Sequence, residues 1–164
     1  MRHFVILVVC LCAFSITGTS LAQNVGASGN PLPRFVSMNA TEANMRTGPG
    51  RQYPIMWVYK RKYLPLEVID EKGPWRKVRD HEGSTGWIHL ALLVGRRTAM
   101  MMGGTKSLFR SKDTNSQLAI TAEEGVIGHI IECADDWCQL EIEGTKGWIE
   151  RHHLWGVYSR EVIN

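Results

Sequence analysis

The chain has 164 residues, 44% of them hydrophobic and 21% charged, with 16 Gly, 4 Cys and 6 Trp. That is globular composition, so disorder is excluded as the default state. With 19 Lys plus Arg against 16 Asp plus Glu, the net charge of +3 is too small to argue by itself for a nucleic-acid or membrane-surface partner.

The chain opens with Met1-Arg2-His3, an apolar run from Phe4 to Phe14, and a polar stretch ending Ser20-Leu21-Ala22. This order reads as a signal peptide over residues 1–22, cleaved after Ala22. The apolar run is shorter than the roughly 20 residues of a permanent membrane helix, and no later run approaches that length. A periplasmic or secreted chain is expected, with no integral membrane segment after cleavage. The alternative is an uncleaved anchor.

Residues 23–34 read as a linker. Beyond them the sequence repeats: Trp75 matches Trp137 at an offset of 62, and Gly86-Trp87-Ile88 matches Gly147-Trp148-Ile149 at 61. Upstream, Asn44-Met45-Arg46 is set against Leu108-Phe109-Arg110 at 64. A near-constant offset predicts two tandem units, 35–95 and 98–158, followed by a tail over 159–164.

Each unit reads as all-β. Short runs rich in Val, Ile and aromatics, such as Ile55 to Tyr59, Leu66 to Asp70 and Val126 to Glu132, are broken by Gly, Pro, Asn and Asp. Gly48-Pro49-Gly50 stops strand pairing early in the first unit. Lys72-Gly73-Pro74 and Ala134-Asp135-Asp136 place a hairpin turn before each Trp, and Glu82-Gly83 and Glu143-Gly144 supply another. So short a unit is better built as a small barrel than as an open sheet, because closure protects the edges.

At this point the residues resemble a known family. Asn44 to Leu93 looks like a bacterial Src-homology-3 domain, in its Asn-apolar-Arg-x-Gly-Pro-Gly opening, the Tyr53 that follows, Trp75 after the hairpin turn, and the closing Gly86-Trp87-Ile88. The second unit has Ser111-Lys112-Asp113 in place of the Gly-Pro-Gly. Its Trp137, Gly147-Trp148-Ile149 and Leu154-Trp155-Gly156-Val157-Tyr158 still resemble the periplasmic branch of that family. The resemblance implies two tandem SH3-like β-barrels. Eukaryotic relatives present the Trp to proline-rich ligands, but their groove also needs a Pro and a Tyr after the closing strand. Those places hold His89 and Leu92, then Glu150 and His153, so proline-rich recognition is not implied.

Two cysteines remain after the signal segment, Cys133 and Cys138. If Asp135-Asp136 form a two-residue turn, these face one another across the hairpin within disulfide range. The same places in the first unit hold Glu71 and Arg76, which predicts a cross-strand ion pair. The functional alternative is a reactive thiol, using Cys138 or Cys133 with a histidine such as His129.

Charge divides between the units: residues 41–97 hold 11 basic and 6 acidic groups, net +5, and residues 98–164 hold 6 and 10, net −4. Lys60-Arg61-Lys62 with Arg76, Lys77 and Arg79, beside Tyr59, Tyr63 and Trp75, read first as a solvated surface or a contact between oppositely charged units; the functional alternative is a positive face suited to carboxylate-bearing peptide stems or lipid headgroups. Candidate ligand contacts are therefore Tyr53, Tyr59, Tyr63, Trp75, Arg76 and Trp137, with barrel capping as the other reading of the two Trp. Trp87 and Trp148 read as packing residues, with Ile88 and Ile149 on the opposite face.

No cofactor and no metal site is expected. Only His152 and His153 are adjacent, and neighbours along a strand point apart. With no acid pair or phosphate loop, a non-enzymatic exported binding module is expected. Its partner would be cell-wall (peptidoglycan) peptide or an envelope protein, and not nucleic acid. Families of this fold often accompany hydrolase domains, and no third domain is expected here.

Overall fold

The structure is a computed structural model that describes residues 24–164; the segment read as a signal peptide, 1–22, lies outside them. Among the described residues, the first sheet contains β1 (Arg34–Met38), β2 (Ala43–Arg46), β3 (Ile55–Tyr59), β4 (Pro65–Lys72), β5 (Trp75–Arg79), β6 (Thr85–His89) and β7 (Leu93–Val94). The second contains β8 (Thr98–Met101), β9 (Lys106–Phe109), β10 (Leu118–Ala122), β11 (Ile127–Ala134), β12 (Trp137–Ile142), β13 (Thr145–Glu150) and β14 (Leu154–Trp155). The strand orders are β3-β2-β6-β5-β4-β1-β7 and β10-β9-β13-β12-β11-β8-β14. Adding seven to each number converts one into the other. A 3₁₀ turn, Leu90–Leu92 or Arg151–His153, precedes the last strand of each unit.

The all-β, two-unit organisation follows from local chemistry. Two-residue turns close β4 to β5 and β11 to β12, where Lys72 pairs Trp75 and Ala134 pairs Trp137. Gly73 and Asp135 take matching left-handed φ values of 54° and 53°, a conformation that favours Gly, Asn and Asp. The glycine of each Gly-Trp-Ile has a packing reason. A Cβ on Gly86 would lie 2.8 Å from the Arg46 carbonyl oxygen, and one on Gly147 would lie 2.6 Å from the Leu108 Cβ. Only Gly lets β6 and β13 approach their neighbours so closely.

The alternation that follows sends Ile88 and Ile149 into the two cores and leaves Trp87 half-buried on the outer face. Met45, Leu66, Val68 and Val78 fill the first core, and Leu108, Leu140, Ile142 and Ala122 the second.

The upstream alignment needs a one-residue correction. Arg46 pairs with Trp87 and Phe109 with Trp148, so Arg46 corresponds to Phe109 and Met45 to Leu108. Both Met45 and Leu108 are buried. Shifting a strand by one residue exchanges its faces, and the core settles the register that the shared Arg letter misjudged.

The units are joined by Gly95-Arg96-Arg97 with no strand running through them, and they share a packed junction. Met100 of β8 belongs to the first core, against which Ile127 and Trp155 also pack. Phe35 meets Trp155 edge-on at 5.2 Å and Tyr158 at 4.8 Å between ring centres. Polar contacts register the junction: Thr98 donates to the Tyr63 carbonyl at 2.7 Å, Trp155 Nε1 to the Pro65 carbonyl at 3.1 Å, and Tyr158 to Glu67 at 2.9 Å.

The two terminal segments are bound to the barrels. Ser28 donates to Glu71 through both its N–H and its hydroxyl, tying the expected linker to the first unit. The expected tail bridges back through Ile163 to Cys133. Arg97 holds Glu161 in an ion pair, and the buried Arg151 guanidinium donates to the carbonyls of Tyr158 and Glu161 at 2.7 Å each. Burial opposes ionisation of Glu161, but the Arg97 and Tyr158 donors and the nearby Arg151 charge hold its carboxyl below the usual range.

Candidate functional site

The hairpin formed by β2 and β3 is cut short by Gly48-Pro49-Gly50, and its loop folds toward the start of β5. Arg46 ends β2 and donates to the carbonyls of Arg51 at 3.1 Å and Tyr53 at 2.7 Å. Its cation is thereby fixed at the mouth of a groove of about 420 Å³ lined by Glu42, Asn44, Arg46, Arg51, Trp75 and His89, with Ala91 and Leu92 at its end. Trp75 and His89 are direct cross-strand partners of β5 and β6, and their rings pack edge to face at 5.3 Å. His89 also accepts the Ala91 N–H at 3.2 Å, capping the 3₁₀ turn and holding its ring in place. The result is an aromatic wall facing two arginines and one carboxylate. Such a groove suits an extended ligand that has an apolar surface and carries carboxylates.

Of the residues expected to touch ligand, Trp75 lines this groove, and Tyr53 supports it through the carbonyl that holds Arg46. Its ring covers Gly48, where a Cβ would come within 2.4 Å. Tyr59, expected on a surface face, lies inside the barrel with its hydroxyl donating to Asp80 at 2.7 Å. Burial, the Asp80 hydrogen bond and the neighbouring carboxylates push its ionisation far above the ordinary tyrosine range. Tyr63 stands at the junction, 4.8 Å from the His129 ring, with Lys62 over its face at 5.1 Å. Trp137 is half-buried on the second unit, opposite Glu150.

Two of the cations named for a positive face are neutralised by acids of their own unit. Arg76 is engaged by Glu71 at 3.2 Å and Arg79 by Glu67 at 2.6 Å. Glu71 also takes Arg34 at 2.6 Å, and its side chain is only 1% exposed. Burial works against its ionisation, yet donors from Ser28 and Arg34 and the Arg76 charge prevail and bring its pKa down to about 2. The groove's cations are instead Arg46 and Arg51, which sequence reading missed because their role depends on a loop conformation. It placed the strand Ile55 to Tyr59 but missed that β3 is an edge strand, where Ile55, Met56, Trp57 and Val58 are all exposed. A continuous apolar run resembles a core strand. The strand order leaves β3 at the sheet edge, so the edges are not all protected as closure would require.

In the second unit Cys133 and Cys138 are cross-strand partners joined by a disulfide, with 4.1 Å between Cα atoms. Its presence removes both thiols from nucleophilic chemistry, against the alternative of a cysteine-dependent enzyme. Contrary to the strand expectation, His152 and His153 occupy a 3₁₀ turn, and their rings lie 3.8 Å apart rather than pointing away from each other. His153 is disfavoured as a cation by burial and by the positive charges of His152 and Lys106.

The family described as "Bacterial SH3 domain" matches twice, over 39–95 and 105–156. The protein named "Putative N-acetylmuramoyl-L-alanine amidase YrvJ" from Bacillus subtilis (strain 168) is 23% identical over 137 residues, taking in 73% of this chain and 26% of that protein. The chain thus spans about a quarter of its curated relative. Among solved structures, NlpC1 from Trichomonas vaginalis matches at 10% identity and a TM-score of 0.36, over 82% of this chain and 49% of that one. An NlpC/P60 family protein from Bacillus cereus ATCC 10987 matches at 12% and 0.34, over 74% and 55%. Scores this low carry no information on activity.

The expectation of a non-enzymatic chain is overturned by the relation to a protein named as an amidase. The lack of a catalytic motif in this sequence is no ground for excluding enzymatic work. Among the described residues no helix is long and apolar enough to cross a membrane. With its paired domain matches spanning well over half of its length, the chain belongs to the bacterial SH3 domain family.

Proposed function

We propose that this chain is exported and binds the peptide part of peptidoglycan, positioning wall hydrolysis on the polymer. The observation that carries this reading is the groove of the first barrel, in which the Trp75–His89 wall faces Arg46 and Arg51. Wall peptides are extended and bear free carboxylates, so an aromatic wall with two guanidinium groups matches them in shape and charge. The relation to a protein named as an amidase of N-acetylmuramoyl-L-alanine bonds supports the same polymer as the ligand. Trp75 contacts the ligand in this reading, Arg46 and Arg51 its carboxylates, and Tyr53 positions Arg46.

Retention on purified sacculi across a salt series tests it. Binding is expected at low salt and should weaken as screening increases. Arg51→Glu should reduce retention by ten-fold or more, and Trp75→Phe by less. No retention at low salt rejects the wall as ligand and leaves an envelope protein as the partner to seek.

A further inference from the structure

We propose that Glu150, His152 and His153 form a binding site for one divalent first-row transition ion on the second barrel. The inference is independent of wall binding. One ligand atom from each of the three residues lies within 4.8 Å of the others. Glu150 Oε2 stands 3.8 Å from His153 Nε2, and the two imidazole centres are 3.8 Å apart. Ligands bonded to one tetrahedral ion at about 2.0–2.1 Å sit roughly 3.4 Å from each other. Small rotations of partly exposed side chains are enough to reach that spacing.

The backbone beneath the three ligands is fixed on both sides. Glu150 ends β13 opposite Trp137. The Arg151 N–H donates to the Asp136 carbonyl at 2.7 Å, and the His153 carbonyl accepts from Met102 at 2.9 Å. Because the turn is 3₁₀, three residues complete one revolution, which brings Glu150 and His153 to the same side. The intervening cation, Arg151, is buried and committed to the carbonyls of Tyr158 and Glu161. Lys106 is the other nearby cation, and its ammonium is held by the Gly103 carbonyl at 2.5 Å. It weakens the site electrostatically without blocking it.

The first barrel provides an internal control. The positions that hold Glu150, His152 and His153 in the second unit hold His89, Ala91 and Leu92 in the first, where they line the groove. The same backbone serves as a groove wall in one copy and as a chelating turn in the other. Two imidazoles and one carboxylate are borderline donors that favour Zn2+, Ni2+ or Cu2+ over Mg2+ and Ca2+. Three protein ligands leave at least one position open for water or a ligand oxygen.

The test is calorimetric titration of the tag-free, disulfide-intact protein with Zn2+, with Co2+ absorption reporting coordination. One Zn2+ per chain is expected. His152→Gln and His153→Gln should each lower affinity at least ten-fold, and Lys106→Met should raise it several-fold. Unfolding of the metal-free variants serves as the folding control, since the substituted side chains are partly exposed. In addition, Co2+ should broaden the His152 and His153 ring resonances of the native protein before those of His81, His89 and His129. The proposal fails if binding does not saturate, if the doubly substituted protein retains full affinity, or if other histidines broaden first.

Discussion

The two barrels share one strand order and its turn and glycine positions, but differ in the side-chain pairs that tie the strands together. Where β4 meets β5, Glu71 and Arg76 form an ion pair reinforced by Arg34 and Ser28. At the same rungs of the second barrel Cys133 and Cys138 are covalently joined. Tyr59 and Asp80 form a buried hydrogen bond in the first core. The register gives Ala122 and Ile142 as their counterparts, both of them buried apolar residues of the second core. The SH3 ladder therefore fixes where side chains meet while leaving open what they do there.

The largest expected effect is at Asp80. Its carboxylate accepts the buried Tyr59 hydroxyl and the N–H groups of Glu82 at 3.1 Å and Ser84 at 2.8 Å. Asp80→Ala should cost about 3 kcal/mol in denaturant unfolding, because it leaves the buried Tyr59 hydroxyl unpaired and releases the turn over 80–84. A loss below about 1 kcal/mol would place the two cores on the same apolar footing. Replacing both Cys133 and Cys138 by Ser should cost about 2 kcal/mol, as expected for a short closed loop. Hydrogen exchange should show that loss in β11 and β12 before β4 and β5.

A pH titration sharpens the same contrast. The folded pKa of Glu71, about 2, lies below its unfolded value of about 4.3. Its stabilisation is therefore complete above the unfolded value and is lost as pH falls toward 2. Glu71→Gln should flatten that part of the stability curve, while the disulfide hairpin contributes no such slope.

The smallest effect concerns the position two residues before β4 and β11. Gly125 and Tyr63 are equivalent, with φ of 80° and 66°, and each N–H donates to the carbonyl of the preceding unit strand, Met101 or Met38. Gly125→Ala should cost about 1 kcal/mol by thermal unfolding. Tyr63 accepts that strain while its carbonyl takes the Thr98 hydroxyl and its ring meets His129.

Much of the fold was legible because turn residues and tryptophans recur at near-constant spacing and because hairpin turns have strict conformational demands. The Cys133–Cys138 and Glu71–Arg76 pairings could be read from a two-residue turn alone. The site was less legible. Charge counting left Arg76 and Arg79 open between a solvated surface and a ligand face, and could not see that nearby acids take both of them. Tyr59 is polar enough to suggest a surface, but its partner Asp80 is 21 residues away in sequence. Strand parity separated His152 from His153, whereas the chain makes a three-residue turn at that point. Each miss involved a contact or conformation that residue type alone does not specify.

The packed junction also has a geometric consequence. Met100 lies in the neighbouring barrel's core and Trp155 packs against it, so the groove on one half and the histidine turn on the other stand at a set distance, like the jaws of a locked caliper. A polymer that reaches from the groove onto the second barrel must present its binding groups at that pitch to gain avidity; loosening the junction would widen the range of spacings accepted and lower the effective concentration at the second contact.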